Sequence, residues 1–375
     1  MKKVLYIHHG DINGGAPRSL RFLIEKLDKT RFCPIVVYRG NEVEAEFFKE
    51  AGAQVICEQG IKPFHGSTVS GITLKQIIYN FVYALPTYFA TKKIIEDVEP
   101  DIVHINSTCL FMCAAAAKKI DNTINVICHV REPLLSNIWG KILQIMSNKY
   151  CDKFVAIDEF DGHSVDPYMR KTNVIYNFVD FSTYNESVKS NILREELGLS
   201  NKDVIFLMLA RVSPENGVLE IVNQWKEYIS NCHAHLIIVG EIQGREVEYC
   251  KKCHSAIGDV ANIHILPFRK DAPQVIASSD VIICSFTQPH FARVIIEGAA
   301  MGKTAISVDI DGPKELIKHN ITGFLYNNAD ELKYYVELLM KDKARRLHLG
   351  KEAEKYAREA FNADINANET IALYN

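Results

Sequence analysis

Short runs of consecutive apolar residues alternate with longer amphipathic segments along almost the whole chain. The run KVLYIHH near the start is followed by RSLRFLIEKL, in which Leu20, Leu23, Ile24 and Leu27 recur at helical spacing. Strands that are apolar at every position are buried on both faces, which is typical of a parallel sheet covered by helices on both sides. The pattern therefore predicts an α/β fold built from doubly wound sheets.

The alternation pauses once, at the polar stretch VIYNFVDFSTYNESVKSN, residues 174–191. It restarts with DVIFLMLARV and continues through further apolar runs to GFLY. A chain of 375 residues with 47% hydrophobic content is long enough for two domains with separate cores. We therefore expect two Rossmann-like domains facing a central cleft, at residues 1–180 and 181–355, and a C-terminal helix at 356–375 that packs back across the domains.

Charge and cysteine content narrow the classes of protein. A formal net charge of −3 excludes the broad basic surface of a nucleic-acid-binding protein. The opening MKKVLYIHHGD holds too short an apolar run for a signal peptide, and no window reaches the roughly 18 uncharged apolar residues of a membrane span. Ten cysteines without a secretion signal indicate reduced thiols, so we expect a cytoplasmic protein. The phrase CKKCH, residues 250–254, matches the c-type haem attachment motif, and we interpret it as a chance match within an amphipathic helix.

Ligands of parallel α/β sheets bind beyond the carboxyl ends of the strands, so the loops there hold the candidate site. After the first strand, Gly14 and Gly15 allow a ligand close to the backbone before a helix N-terminus, which suits an anion; a tight turn without a ligand is the alternative. The dinucleotide fingerprint G-x-G-x-x-G is absent, which disfavours a dehydrogenase. Farther along, HVREP places His129, Arg131 and Glu132 at the rim of the cleft, where the histidine would hold a sugar hydroxyl or serve as a structural hydrogen-bonding group.

The second half of the chain has polar strand ends of its own. Arg211 follows the first strand there and suits a diphosphate, because a planar guanidinium can bind two oxygens; a salt bridge to a neighbouring acid is the alternative. Gly240 follows the next strand, and Phe268 and Arg269 lie in a loop where backbone groups would meet a base. In HFARVIIEGAAMG, Glu297 lies one to two turns into a helix that starts at the same cleft, and its carboxylate would accept hydrogen bonds from ribose hydroxyls.

Together these residues resemble the retaining glycosyltransferases of the GT-B fold, family 4, over essentially the whole length. The phrases DIVHINS, VIYNFVD, ARVSPENGV, LIIVGE, FARVIIEGAAMGKTAIS and DGPKELIKHNITGFLY fall in the family's order and spacing. The resemblance implies catalytic roles for His129 and Arg211 and acceptor-side positions for Arg131 and Glu132. It implies a donor-binding set of Gly14, Gly15, Arg211, Asn216, Gly240, Phe268, Arg269, His290, Phe291, Ala292, Arg293, Val294 and Glu297.

Two positions depart from the family's pattern. The family's first glutamate falls at Pro289, and the lysine that usually accompanies the arginine falls at Asn216. Losing one charge-assisted hydrogen bond would cost about 1.5–3 kcal/mol unless Arg269 or Lys270 replaces the lysine. Because a proline side chain accepts no hydrogen bond, we expect the backbone N–H groups of residues 290–293, with the histidine that begins this stretch, to hold the sugar.

The sequence thus predicts a metal-independent transferase that moves a sugar, with retention, from a UDP- or GDP-sugar to a glycan or lipid-linked acceptor. Its place would be bacterial surface polysaccharide or glycoconjugate synthesis, with the nucleotide sugar as substrate and no cofactor, metal or nucleic acid. The alternative is a non-catalytic GT-B subunit that binds a partner or a nucleotide sugar without turnover, which the two departures favour. A nucleotide-sugar epimerase of similar architecture fits the phrases less well.

One apolar segment allows two interpretations. LKQIIYNFVYALPTYFATKKII, residues 74–95, is rich in aromatic and apolar residues and has lysines near both ends. We expect a buried helix that is broken at Pro86. The alternative is peripheral contact with the inner face of a membrane or with a lipid-linked acceptor.

Overall fold

The computed structural model of the protein describes residues 1–10, 12, 15–68, 72–229 and 233–375. These residues form two compact units. Unit 1 comprises Met1–Asn177 with Ala363–Asn375, and unit 2 comprises Phe178–Asn362. The division lies inside the polar stretch 174–191.

Unit 1 is a parallel sheet with helices on both faces. Its strands are β1 (Lys2–His8), β2 (Phe32–Tyr38), β3 (Gln54–Cys57), β4 (Ile102–Ile105), β5 (Asn125–Val130), β6 (Lys153–Ala156) and β7 (Thr172–Val174). Their order in the sheet is β3-β2-β1-β4-β5-β6-β7, and neighbouring strands are parallel. The helices that connect them are α1 (Gly15–Lys26), α2 (Glu42–Lys49), α3 (Leu74–Val98), α4 (Phe111–Ile120), α5 (Ile138–Tyr150) and α6 (Glu159–Val165).

The residues of each strand alternate between two hydrophobic cores. In β1, Leu5 and Ile7 are buried on the face covered by α3 to α6, whereas Val4 and Tyr6 are buried on the face covered by α1 and α2. Both kinds of position must therefore be apolar. The prediction of doubly covered parallel sheets is confirmed.

Unit 2 repeats this architecture. Its strands are β8 (Val204–Leu209), β9 (Ala234–Glu241), β10 (Ile263–Pro267), β11 (Val281–Cys284), β12 (Thr304–Val308) and β13 (Gly323–Tyr326). They form a parallel sheet in the order β10-β9-β8-β11-β12-β13. The helices are α7 (Ile192–Leu197), α8 (Val218–Tyr228), α9 (Val247–Ile257), α10 (Ala272–Ala277), α11 (Arg293–Ala300), α12 (Pro313–Leu316), α13 (Ala329–Lys341) and α14 (Lys343–Ala360).

The CKKCH phrase lies in α9 and serves packing. Cys250 and Cys253 are buried in the core of unit 2. The last residue of the phrase, His254, places its Nε2 atom 3.1 Å from a carboxylate oxygen of Glu241. The two thiols therefore contribute to the apolar face that holds α9 on the sheet.

Helix α3 differs from the expectation. It is continuous over 25 residues and contains Pro86 without a break. Since Pro86 is exposed, water can satisfy the carbonyl group that the missing proline N–H leaves unpaired. The expectation of a buried helix is wrong, because much of its apolar surface is exposed. Within the described part of the chain, no helix is long and apolar enough to cross a membrane.

The C-terminal segment returns to unit 1 as α15 (Ala363–Ala372), which packs on α1. Beyond it, Tyr374 is buried, and its hydroxyl lies 2.7 Å from Nδ1 of the buried His104 in β4. The carbonyl oxygen of Leu373 accepts hydrogen bonds from Asn125 Nδ2 at 3.1 Å and from Lys153 Nζ at 2.9 Å. The last residues thus close the edge of the unit 1 core.

Replacing this anchor should destabilise the protein. We expect Tyr374→Ala to lower the free energy of unfolding by about 3–5 kcal/mol, because it removes a large aromatic ring from a packed core. Tyr374→Phe should cost about 1–3 kcal/mol, because it leaves a buried imidazole nitrogen without its partner. Urea-induced unfolding measures both changes. The control is Tyr334→Ala, at a tyrosine that is 63% exposed, against 1% for Tyr374; equal losses from the two alanine variants would contradict the anchoring role.

Candidate functional site

In unit 1, polar side chains meet at the carboxyl ends of β1, β4 and β5, which are neighbours in the sheet. Asn106 follows β4 and joins the other two strands. Its Nδ2 atom lies 3.0 Å from Nδ1 of His8, and its Oδ1 atom accepts a hydrogen bond of 2.8 Å from Nε of Arg131. The Nη2 atom of Arg131 in turn lies 3.3 Å from Nδ1 of His129. Side chains from three strand ends are therefore held in one hydrogen-bonded cluster.

Asn106 is a site residue that our reading of the sequence missed. It stands in the phrase DIVHINS, directly after a strand, so the strand-end rule that selected His129 and Arg131 applies to it equally. Its contacts depend on the order of the strands in the sheet, which the sequence does not state.

Glu132 lies beside this cluster in a half-buried position. Its Oε1 atom accepts a hydrogen bond of 2.8 Å from Oγ of Ser107, and Sγ of Cys109 lies 3.8 Å from the same oxygen. Burial raises the pKa of Glu132, an effect that Ser107 and Arg131 partly offset. The carboxyl group therefore binds a proton more readily than that of an exposed glutamate.

Three histidines of unit 1, His9, His104 and His129, are held in their neutral forms. Burial, the charge of Arg131 and the neighbouring His104 lower the pKa of His129 well below its usual value. Burial also lowers the pKa of His104 and that of His9 to about 3. Because a guanidinium N–H faces Nδ1 of His129, that nitrogen is the acceptor and Nε2 bears the hydrogen. His129 can therefore donate one hydrogen bond to a ligand oxygen without carrying a charge.

In unit 2, Arg211 follows β8 at the carboxyl edge of the sheet. Its side chain is exposed, and the described residues give it neither a hydrogen bond to the guanidinium nor an ion pair. The alternative of a salt bridge to a neighbouring acid is therefore not observed among them. Desolvation and, after it, the positive charge of Arg211 lower the pKa of His290. The pKa of Glu215 is lowered, against the effect of burial, by hydrogen bonds from Ser213 and the backbone and by the charge of Arg211. Arg211 is thus a cation at a strand end whose charge is available to an anion.

The loop between β11 and α11, residues 285–292, is fastened to the turn that follows Arg211. Oγ of Ser285 donates to the carbonyl of Gly217 at 2.8 Å, and the backbone N–H of Thr287 donates to the carbonyl of Glu215 at 3.1 Å. The loop that contains Pro289 is therefore fixed relative to Arg211.

The other side of this loop rests on the residues after β12. The backbone N–H of His290 donates to the carbonyl of Asp311 at 3.3 Å. Gly312 has a φ of +92°, and a Cβ atom there would lie 2.2 Å from the carbonyl oxygen of His290, so only glycine fits. The backbone N–H of His290 thus already has a partner, and the expectation that the N–H groups of residues 290–293 hold the sugar stays a prediction for the other three. His290 as a whole keeps part of its surface exposed to solvent.

Glu297 lies on α11 and is largely buried. Its Oε1 atom is 3.5 Å from Nε of Arg293, one helical turn earlier, and Nη2 of Arg293 donates to the carbonyl of Phe178 at 3.1 Å. Arg293 therefore orients the Glu297 carboxylate and makes a backbone contact. Three other members of the predicted donor-binding set have buried side chains and pack in the core, namely Phe291, Ala292 and Val294.

Two further members of that set are engaged in local structure. Nδ2 of Asn216 donates to the carbonyl of Arg211 at 2.8 Å, so Asn216 braces the turn. Arg269 pairs with Asp271 at 2.7 Å and with Glu196 at 2.8 Å. The suggestion that Arg269 replaces the family's lysine is therefore not supported, because two carboxylates already hold its guanidinium.

The remaining predicted residues are placed as follows. Gly240 has a φ of +145°, and a Cβ atom there would lie 2.3 Å from the carbonyl oxygen of Ala210, so glycine is needed for β9 to pass the start of the Arg211 turn. The ring of Phe268 is exposed and accessible to a ligand. Gly15 is exposed at the start of α1, and Gly14 lies outside the described residues.

The described residues are expected to hold no metal ion. Among the described residues, no group of three or more His, Cys, Asp or Glu side chains is arranged to hold a metal ion. Metal independence of the chemistry stays a prediction.

Two family models match the chain, one for each sheet. The model described as Glycosyltransferase Family 4 matches residues 13–183, and the model described as Glycosyl transferases group 1 matches residues 189–356. Together they leave only short segments unmatched.

Curated relatives are distant. N-acetyl-alpha-D-glucosaminyl L-malate synthase of Bacillus anthracis is 24% identical over 207 residues, which is 52% of each chain, so the chain spans about half the length of this relative. The N,N'-diacetylbacillosaminyl-diphospho-undecaprenol alpha-1,3-N-acetylgalactosaminyltransferase of Campylobacter jejuni is 22% identical over 329 residues, covering 80% of this chain and 85% of the relative.

Solved structures match over the full length. Anabaena HepE in complex with UDP and glucose has a TM-score of 0.78 at 22% identity and covers 99% of this chain and 98% of its own. A glycosyltransferase from Rickettsia africae has a TM-score of 0.80 at 21% identity, with 100% and 97% covered. At these identities the likeness establishes the fold.

Because these histidines are buried and neutral, we expect the free energy of unfolding to fall in acid. A histidine whose pKa is lowered in the folded state binds fewer protons than in the unfolded state, so stability falls as pH drops below about 6.5, by up to about 1.4 kcal/mol per pH unit for each group. We expect His129→Asn to reduce this slope between pH 6.5 and 5, measured by urea unfolding. His348→Asn, at an exposed position of α14, is the control and should leave the slope unchanged. A wild-type slope that His129→Asn does not alter would contradict the burial of a neutral imidazole.

Proposed function

Because the chain belongs to the family 4 (group 1) glycosyltransferases and has their GT-B fold of two Rossmann-like units, we propose that it transfers a sugar from a nucleotide diphosphate to an acceptor with retention of configuration. The bond between the sugar C1 and the diphosphate oxygen breaks. The acceptor oxygen bonds to C1 on the same face, and its proton passes to the departing diphosphate oxygen. The nucleoside diphosphate leaves.

The observation that carries this proposal is the exposed guanidinium of Arg211. Arg211 stands at a strand end, beside a loop that is fixed by hydrogen bonds to backbone carbonyl groups. Two phosphates would receive paired hydrogen bonds from its planar fork. The charge that develops on the departing diphosphate would be stabilised there, which makes Arg211 the group that promotes bond cleavage.

The nucleoside would occupy the same edge of unit 2. The carboxylate of Glu297 is held by Arg293 and would accept hydrogen bonds from the ribose hydroxyls. The exposed ring of Phe268 and the backbone near it would meet the base. We propose a UDP- or GDP-sugar as donor; the UDP and glucose of the Anabaena HepE structure support a uridine nucleotide.

Unit 1 would act on the transferred sugar and the acceptor. The Nε2–H of His129 would donate to a sugar hydroxyl, and the neutral imidazole would bring no charge of its own to the sugar. Arg131 and Glu132 would contact the acceptor. A lipid-linked acceptor, and with it peripheral contact with a membrane, is supported by the diphospho-undecaprenol in the name of the Campylobacter relative. No metal or cofactor takes part in the proposed reaction.

The second candidate is a non-catalytic subunit that binds a nucleotide sugar without turnover. Two observations favour it: Pro289 offers no acceptor to the donor sugar, and the amide of Asn216 is occupied in the Arg211 turn. The two candidates differ in a single measurement. Nucleotide binding together with hydrolysis or transfer from a UDP- or GDP-sugar supports the enzyme, whereas binding without any turnover supports the subunit.

The first prediction of the enzyme hypothesis concerns Arg211. We expect Arg211→Gln to weaken UDP or GDP binding and to reduce turnover of the sugar nucleotide by about 10- to 100-fold, because about 1.5–3 kcal/mol of charge-assisted hydrogen bonding is lost. Arg170→Gln is the matched control, since Arg170 is an exposed arginine before β7 in unit 1. Calorimetry with the nucleoside diphosphate and turnover assays check both. Equal behaviour of the two variants would remove the diphosphate role.

The second prediction concerns Glu297. Glu297→Gln keeps the shape of the side chain but weakens acceptance of two ribose hydrogen bonds, so nucleotide affinity should fall by roughly tenfold. The affinity for inorganic diphosphate should stay unchanged, because that ligand has no ribose. Glu359→Gln, at an exposed site on α14, is the control. If Glu297→Gln binds UDP and GDP as well as the wild type does, the ribose assignment is wrong.

A further inference from the structure

Helix α3 carries its polar residues inward. Oδ1 of Asn80 accepts from the backbone N–H of His65 at 2.7 Å, and Nδ2 of Asn80 donates to the carbonyl of His65 at 2.8 Å. About two turns later in the helix, Oγ1 of Thr87 accepts a hydrogen bond from the backbone N–H of Lys62 at 3.0 Å. These buried side chains satisfy the backbone of the extended segment that underlies the helix. They fix the rotation of α3 about its axis.

The opposite side of α3 is apolar and exposed. Its large side chains recur every three or four residues and so form one stripe along the helix. The stripe consists of Leu74, Ile78, Phe81, Val82, Leu85 and Phe89. At 1.5 Å per residue it is about 22 Å long. Helices on water-exposed surfaces normally show the reverse pattern, with apolar residues inward and polar residues outward.

The stripe extends onto α5. The rings of Phe81 and Trp139 are 5.9 Å apart in an edge arrangement, and Trp139 also lies 6.1 Å from Phe64. Ile138, next to Trp139, is exposed. We name this surface the α3 face; it consists of the six stripe residues of α3 together with Ile138.

Lysines predominate around the α3 face; the acidic residues of α3, Glu96 and Asp97, lie in its last turn beyond the stripe, where Glu96 pairs with Lys92 at 3.5 Å. Neither residues 59–95 nor residues 133–151 contain an aspartate or a glutamate. The same two segments contain the lysines Lys62, Lys75, Lys92, Lys93, Lys141 and Lys149. Lys75 and Lys93 are exposed, in the first and the later turns of α3. A second copy of the chain packed face to face would bring two sets of lysines together, which costs energy. An anionic surface with an apolar interior satisfies both the charge and the stripe.

We propose that the α3 face lies in the interface of an anionic lipid bilayer, with the apolar stripe among the acyl chains and the lysines at the headgroups. The helix lies parallel to the membrane plane, because its buried polar face holds it against unit 1. This assignment rests on the proposed function for its purpose, which is to bring the enzyme to a lipid-linked acceptor. The binding itself requires neither donor nor acceptor.

Vesicle flotation of the full chain tests the proposal. We expect binding to vesicles of phosphatidylcholine with phosphatidylglycerol and little binding to phosphatidylcholine alone. Leu85→Gln with Phe89→Gln should weaken binding about tenfold or more, because two inserted apolar side chains are lost. The matched control is Tyr334→Gln with Leu347→Gln in unit 2. Those two side chains are 63% and 62% exposed, against 62% and 60% for Leu85 and Phe89.

Two further measurements make the outcome decisive. Lys75→Gln with Lys93→Gln should reduce the preference for the anionic lipid while the apolar stripe is intact, and sedimentation of the wild type should show that the α3 face does not hold a dimer. The proposal fails if the wild type does not float with anionic vesicles, or if Leu85→Gln with Phe89→Gln floats as well as Tyr334→Gln with Leu347→Gln. It also fails if Leu85→Gln with Phe89→Gln dissociates a dimer. UDP binding separates this proposal from the proposed function. If Leu85→Gln with Phe89→Gln binds UDP normally and also floats like the wild type, the lipid surface alone is rejected. If the wild type floats but does not bind nucleotide, the proposed function alone is rejected.

Discussion

A parallel strand that is buried on both faces leaves only its ends for polar chemistry, and this constraint governs both units of the protein. The side chains along β1 belong to one core or the other, so none of them can reach a ligand from the middle of the sheet. Polar groups instead gather where strands end. Asn106 links His8 with Arg131 in unit 1, and Arg211 leaves β8 in unit 2. The candidate site follows from the way the cores are built.

At these edges, unit 1 offers a neutral histidine and unit 2 offers an exposed arginine. In unit 1, burial and the charge of Arg131 keep His129 neutral, so this imidazole offers a directed hydrogen bond without a charge of its own. In unit 2, no described side chain forms an ion pair with Arg211, whereas Arg269 is held by two carboxylates. A surface that binds a sugar needs the first property, and one that binds a diphosphate needs the second.

Backbone contacts give unit 2 its rigidity at the site. The loop that contains Pro289 is held on one side by the turn after Arg211 and on the other by Gly312, where a side chain would collide with the carbonyl of His290. Asn216 braces the same turn through its amide. The two departures from the family's pattern, Pro289 and Asn216, thus lie in a loop and a turn that are bonded to each other, and a change in what they recognise is compatible with an intact fold.

The two doubly wound sheets, the strand ends that carry polar residues, and the family could be predicted from the sequence, because apolar periodicity and short collinear phrases are local properties of the chain. Other features depend on which segments the fold brings together. Asn106 contacts residues of other strands because β1, β4 and β5 are neighbours in the sheet. Arg269 is not available to a ligand because it pairs with Glu196, which is distant in the sequence. For α3 the composition favoured burial, yet the helix turned its apolar stripe outward. Which face of a helix points inward depends on the groups beneath it, and here they are backbone N–H and C=O groups that need Asn80 and other polar side chains as partners, since unpaired buried polar groups cost more than exposed apolar ones gain by burial.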